Sequence, residues 1–247
     1  MNLKKVFAAS AASVFIISSV FASGGGHWTY EGHEGPSNWG NLSHGYAMCK
    51  EGKKQSPIDI NATKKIKLSK INFSYRAEAK EILNNGHTIQ VNMKKGSSVT
   101  VAGKTFNLLQ FHFHAPSEHT INGKPADMVA HFVHQAKDGQ LGVVGVLFKV
   151  GKENKTLAKL WKYMPKKAGD KKALAAGITI AKLLPGKTNY YHYSGSLTTP
   201  PCSENVNWMV LQTTVSASAA QVDAFSKAIH KNVRPVQPHN GRTIESN

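Results

Sequence analysis

The segment Gln110-Phe111-His112-Phe113-His114 holds the residue types best suited to chemistry. Side chains alternate between faces on a β-strand, so Gln110, His112 and His114 point one way and Phe111 and Phe113 the other. Two imidazoles at this spacing lie roughly 7 Å apart at Cβ, close enough to converge on one cation. The phenylalanines can bury on the opposite face and hold the strand still. A catalytic zinc usually takes three protein ligands and keeps one position for water. The third imidazole must come from elsewhere, and His119, His131 and His134 are the candidates. A neighbouring antiparallel strand, about 4.8 Å away, can supply it. Along 127–134, alternation puts Val129, His131 and Val133 on one face and His134 on the other. His131 and His134 therefore cannot both be ligands. Three neutral imidazoles with an open position suit zinc, while spacing alone leaves copper and cobalt open.

The surrounding pattern must position this strand. Short alternating runs separated by turn residues dominate the chain. Asn84-Asn85-Gly86 is a strong turn signal before an alternating run over 88–93. Residues 98–101 and 104–106 read as a hairpin around Ala102-Gly103. Strands follow over 108–114, 128–135, 141–150 and 208–215. The 141–150 run is apolar almost throughout, as in a central strand buried on both faces. Helical signals are fewer: 154–164, ending before Pro165, and 218–230, with Ser218 as N-cap. The fold class is mainly β, of α+β type, with a mostly antiparallel sheet and a few peripheral helices. No repeat or long linker divides the chain, which points to a single domain over 23–247.

The N-terminus addresses the compartment. Lys4 and Lys5 precede an apolar stretch over 6–21, and Val20-Phe21-Ala22 supplies small residues for cleavage. These are the parts of a secretory signal peptide over residues 1–22. A membrane anchor fits less well, because serines interrupt a short stretch that no basic flank follows. Stable membrane insertion is not expected. Cleavage leaves about 225 residues, enough for a substantial core. Export permits a disulfide between the only two cysteines, Cys49 and Cys202. It would close a loop of about 150 residues and stabilise the fold by about 4–5 kcal/mol. Without Lys4 and Lys5 the formal charge falls from +17 to +15. The lysines are scattered and no nucleic-acid motif with interleaved aromatics appears, so the charge reads as a solvated surface and not a nucleic-acid site.

Longer segments extend the picture. They are His27-Trp28-Thr29-Tyr30, Gly35-Pro36-Ser37-Asn38-Trp39, Gln55-Ser56-Pro57-Ile58-Asp59-Ile60 and Asn84-Asn85-Gly86-His87. Ser117-Glu118-His119, His131-Phe132-Val133-His134, residues 195–202 (GSLTTPPC) and Asn232-Val233-Arg234-Pro235 follow. With the 110–114 segment, in this order and spacing, the chain resembles an alpha-class carbonic anhydrase of the bacterial, exported type. The resemblance runs from His27 to about Ile244. It implies a central twisted sheet of about ten strands with zinc at the bottom of a conical cavity. It also implies His131 as the third ligand, a Cys49–Cys202 disulfide and a periplasmic location. Exported bacterial members are often homodimers.

The activity so implied is reversible hydration of CO2 to bicarbonate and a proton by zinc-hydroxide attack. Zinc lowers the pKa of its bound water to about 7, carbonic anhydrase being the standard example. Imidazole ligands leave the ion its full double charge. By resemblance, the Thr198 hydroxyl accepts from the hydroxide and donates to Glu118. The Thr198 N–H binds substrate or an anionic inhibitor, and Thr199 contacts bicarbonate. Val133, Val143, Leu197 and Trp208 form the apolar wall where CO2 waits. His87 is the proton shuttle, an ordinary imidazole titrating near 6.5. Tyr30, Asn85 and Gln90 help order its water chain. Gln110 serves the free nitrogen of His112, and a backbone carbonyl that of His114. Sulfonamides and anions are the expected inhibitors.

One position departs from the pattern. Many members carry a glutamate two residues before the third ligand, hydrogen-bonded to it. Here that residue is Val129, which cannot accept. Normal catalysis with a grip on zinc weakened about tenfold is expected, a water or backbone carbonyl standing in. Two rival readings are a binding module without activity and a zinc-trafficking protein. The intact set of His112, His114, His131, Glu118 and Thr198 argues against the first, and the rigid strand context against the second.

Overall fold

The computed structural model describes residues 26–247, so the leader read over 1–22 lies outside the described residues. A large mixed sheet of thirteen strands organises them. Ten strands form its continuous path. In chain order they are β1 (Lys64–Lys65), β2 (Ala79–Asn84), β3 (Ile89–Met93), β4 (Lys104–His114) and β5 (Met128–Ala136). Then come β6 (Leu141–Val150), β7 (Lys171–Ala173), β8 (Tyr190–Ser196), β9 (Glu204–Leu211) and β10 (Glu245–Ser246). They lie side by side as β7-β2-β3-β4-β5-β6-β9-β8-β10-β1. Only the β6–β9 and β10–β1 contacts along this path are parallel.

The sheet buries both faces. One packs Phe111, Phe113, Phe132 and Phe148 against Leu157 and Leu160 of helix α1 (Lys155–Trp161) and Phe225 of α2 (Ala219–Ile229). Asn154 caps α1 through its side chain. Ser218 and Gln221 form a capping box on α2. The other face packs Val129, Val133, Val143, Leu147 and Trp208. β6 is buried along most of its length, as its apolar run requires. A third small cluster holds Tyr30, Trp39 and Cys202, where the Cys49–Cys202 disulfide is formed.

Two details differ from simple alternation. β4 carries a bulge: Val133 pairs with Gln110 but His134 pairs with Leu108, so Leu109 is skipped. The extra residue reverses the parity of the strand. Phe106 and Leu108 thereby join Phe111 and Phe113 in one core, and the histidine face begins only at Gln110. The strand expected over 208–215 is instead two. β9 ends at Leu211, and Val215–Ala217 pairs separately with the far end of β6. Between them Gln212 bonds back to Asn189 and Tyr190, which turns the chain out of β9.

Candidate metal centre

β4 and β5 meet in antiparallel register with His112 opposite His131 and His114 opposite Val129. The side chains of His112, His114 and His131 converge, each offering one nitrogen within 4.8 Å of the others. His119 and His134 do not join them. His134 lies on the opposite face, bonded to Tyr75 Oη at 2.8 Å and Gly142 O at 3.2 Å. His119 is tied through Nε2 to Tyr193 Oη at 2.6 Å.

The fit to a metal rests on which nitrogens are spoken for. Nδ1 of His112 donates to Gln110 Oε1 at 2.9 Å. Nδ1 of His114 donates to the Asn232 carbonyl at 2.6 Å. Both rings then carry a bare Nε2, and that of His114 is buried with no partner. Burial first, and then neighbouring histidines, hold His112 and His131 well below the ordinary imidazole range. Neutral rings with bare, converging nitrogens are the donor set zinc takes. His131 differs in which nitrogen is left over: its Nδ1 stands 3.8 Å from Glu118 Oε2, on the cluster side, while its Nε2 is buried and has no partner. Val129, fully buried in the apolar cluster, offers none.

Glu118 stands against the cluster. Its Oε2 is 3.5 Å from His114 Nε2 and 3.8 Å from His131 Nδ1. Its Oε1 accepts the backbone N–H of Arg234 at 3.0 Å. Burial raises the carboxyl pKa, while His114, Arg234 and the Thr198 hydroxyl pull it down. Thr198 is buried beside it, whereas Leu197 and Thr199 are only partly covered. Ser196, at the start of this loop, is pinned by Ser56, whose Oγ accepts the Ser196 N–H at 3.0 Å. Gly195 is required just before it. A Cβ there would sit 2.2 Å from Ser56 Oγ and 2.8 Å from Trp208.

The residues assigned to the apolar wall sit in lateral register. Val133 pairs with Val143, and Val143 with Trp208, across three adjacent strands. Leu197 packs on the same cluster. Trp208 donates its N–H to Ser196 O at 2.9 Å and its ring lies 4.9 Å from that of His131.

His87 is held differently from an ordinary exposed imidazole. Its ring stacks on Trp28 with centres 3.7 Å apart and planes 8° apart. Burial there, with the charge of His27, lowers its pKa to about 4 rather than leaving it near 6.5. Asn85 Oδ1 accepts from the N–H groups of His87 and Thr88, so that oxygen serves the turn. Gln90 lies opposite His112 and donates to Asn92. The Tyr30 hydroxyl is buried and unpartnered, and burial, reinforced by Glu118, raises its pKa.

Two structural anchors carry no role in the sequence reading, although both stand in the quoted Asn232–Pro235 stretch. Asn232 accepts from His114 through its carbonyl, accepts from Ala115 N–H, and donates to the His87 and Phe113 carbonyls. Arg234 donates to Gln55, to the Ser56 carbonyl and to the Cys49 carbonyl. It therefore joins Glu118 to the disulfide region. In the sequence Arg234 is only an arginine in a polar tail segment, which names no partner.

Comparison with known proteins agrees with this geometry. The family model for eukaryotic-type carbonic anhydrase matches residues 34–247. A carbonic anhydrase of Pectobacterium carotovorum is 42% identical over 235 residues, covering 95% of this chain and 96% of its own. One from Neisseria gonorrhoeae is 46% identical over 220 residues, covering 88% and 87%. The solved alpha-carbonic anhydrase of Thermovibrio ammonificans, in complex with the inhibitor sulfanilamide, is 53% identical with a TM-score of 0.88. That match covers 90% of this chain and 100% of the other. With the family model, two bacterial relatives and the sheet all in agreement, the chain belongs to the alpha-class carbonic anhydrases.

Proposed function

We propose that the chain hydrates CO2 at a zinc held by His112, His114 and His131, in an exported, periplasmic protein. The observation that carries the reading is the set of bare imidazole nitrogens brought within 4.8 Å of one another. Zinc bound there supplies a Lewis acid that activates water near neutral pH.

The chain's own groups do the rest. Gln110 and the Asn232 carbonyl fix the His112 and His114 tautomers and aim both rings. The Thr198 hydroxyl donates its hydrogen bond to Glu118 and so presents only lone pairs to the nucleophile, which would orient it. The Arg234 N–H on its other oxygen favours the ionised, accepting form of Glu118 against the burial that raises its pKa. The Thr198 N–H and Thr199 receive bicarbonate, and the same donors receive sulfonamides and anions. Val133, Val143, Leu197 and Trp208 exclude water beside CO2. His87 carries the proton away after its ring leaves Trp28 for the solvent side, with Tyr30, Asn85 and Gln90 along the water path. The disulfide fits an oxidising compartment, and no helix among the described residues is long and apolar enough to cross a membrane.

Stopped-flow CO2 hydration on zinc-loaded protein, with and without a sulfonamide, tests this. Fast turnover that the sulfonamide suppresses is expected. A fully zinc-loaded chain with no turnover would falsify the assignment. For the shuttle, His87→Ala should slow turnover in weak buffer, and added imidazole should restore it.

A further inference from the structure

Two unpartnered nitrogens stand together behind the metal cluster. Nε2 of His131 and Nδ1 of His119 are both buried without a hydrogen-bond partner. Each residue is 1% exposed. Their ring centres lie 6.0 Å apart, with the planes at 80°. An orphan of this kind costs about 1–3 kcal/mol, so two in one place need a common account. A metal-bound histidine almost always gives its other N–H to an acceptor.

The position of Glu118 tells the two nitrogens of His131 apart. Nδ1 lies 3.8 Å from the Glu118 oxygen that also stands 3.5 Å from His114 Nε2. Nδ1 therefore faces the cluster and Nε2 faces away. Two rings outside the cluster pack on His131. Trp208 has already given its N–H to Ser196 O. His119 alone has a nitrogen to spare.

We propose that His119 is the outer partner of the His131 ligand, joined to it by one trapped water. The water accepts from His131 Nε2–H and donates to a bare His119 Nδ1. Two bonds of about 2.8 Å through one oxygen suit rings at this separation. The inference rests on the zinc reading of the three histidines.

The bridge requires one tautomer of His119. With Nδ1 bare, His119 carries its proton on Nε2 and donates to Tyr193 Oη at 2.6 Å. The Tyr193 hydroxyl then donates to Ser56 Oγ at 2.9 Å, which also accepts the Ser196 N–H. Each link pairs one donor with one acceptor. The reverse polarity leaves His119 with an Nδ1–H. Two N–H groups would then face one water, which could accept from both but donate to neither. In the favoured polarity the chain runs from a metal ligand to Ser196, two residues before Thr198. His119 is thus a positioning residue for both the metal and the Thr198 loop.

The experiment uses the zinc-loaded full chain. Long-range proton–nitrogen NMR should show His119 protonated at Nε2 and bare at Nδ1. A protonated Nδ1 in fully zinc-loaded protein overturns the bridge and leaves the zinc reading standing. A chain that takes up no zinc overturns both. Release of zinc to excess chelator gives the second readout. His119→Phe should speed release about tenfold. Val129→Glu should slow it and abolish the effect of His119→Phe, because the carboxylate then serves His131 directly. Equal acceleration by His119→Phe in both backgrounds would mean packing alone, and the proposal would fall. If His119→Phe does not fold, the spectrum of the unaltered protein decides.

Discussion

His131 and His134 lie three residues apart on β5, equally buried, and are treated in opposite ways. His134 has an answer for each nitrogen, Tyr75 on one side and the Gly142 carbonyl on the other. Its ring stacks at 22° on that of Tyr75. His131 has no conventional partner and points one nitrogen at His112 and His114. The residue type and the burial are the same, and only the supply of partners differs. A buried imidazole with both nitrogens satisfied is part of the core. Imidazoles left bare at one shared point can hold an ion, because the structure has declined to spend them on itself.

The largest expected effect comes from deleting the unsatisfied histidine. His131→Ala should weaken zinc binding more than about a hundredfold, beyond the range of an outer-partner loss. Competition with a chelator measures it. Denaturant unfolding of the metal-free protein should change less, because the cavity left is offset in part by removal of an orphaned nitrogen. His134→Ala should do the reverse. It leaves a cavity and an orphaned Tyr75 hydroxyl, at a cost of about 2–4 kcal/mol, with zinc affinity unchanged. If His134→Ala released zinc as readily as His131→Ala, the contrast between the two faces would collapse.

A smaller effect follows from pH. Burial lowers the His134 pKa to about 4, against about 6.5 for an unfolded imidazole. Between those values the unfolded chain binds more protons than the folded one. Stability must therefore fall as pH drops from about 6.5 toward 4, and be complete above that window. His134→Gln should flatten the fall by about 3 kcal/mol, measured by urea titrations at pH 7 and pH 4 on metal-free protein. Metal-free samples keep zinc release out of the difference. An unaltered slope would mean that His134 is already charged in the fold.

Much of this site was readable in sequence because it depends on local alternation. Period two put His112 with His114 and separated His131 from His134, and the structure has the same division. The long apolar run of β6 likewise announced its burial on both faces. What stayed hidden depends on contacts between distant residues. Asn232 meets His114 across a sequence separation of 118, and Arg234 meets Glu118 across 116. The bulge at Leu109 was equally silent, since one skipped residue leaves the composition of the strand unchanged. The break between Leu211 and Val215 was missed for a related reason. An apolar run does not say which neighbour each half will pair with.

The smallest effect concerns His87, a third histidine that fits neither pattern. It is neither a satisfied core ring nor a cluster member, but is stacked on Trp28. With its pKa at about 4 in that seat, the ring is a poor acceptor of a proton from a group titrating near 7. Removing the stack should raise that pKa. Trp28→Leu opens the ring to water and leaves only the repulsion from His27. NMR titration should then place His87 above 4 and nearer the ordinary imidazole value. Turnover in weak buffer near pH 7 should rise several-fold, opposite in sign to His87→Ala. A His87 that still titrated near 4 would show that Trp28 is not what disables it. A raised pKa with slower turnover would instead make the stacked seat part of the proton path.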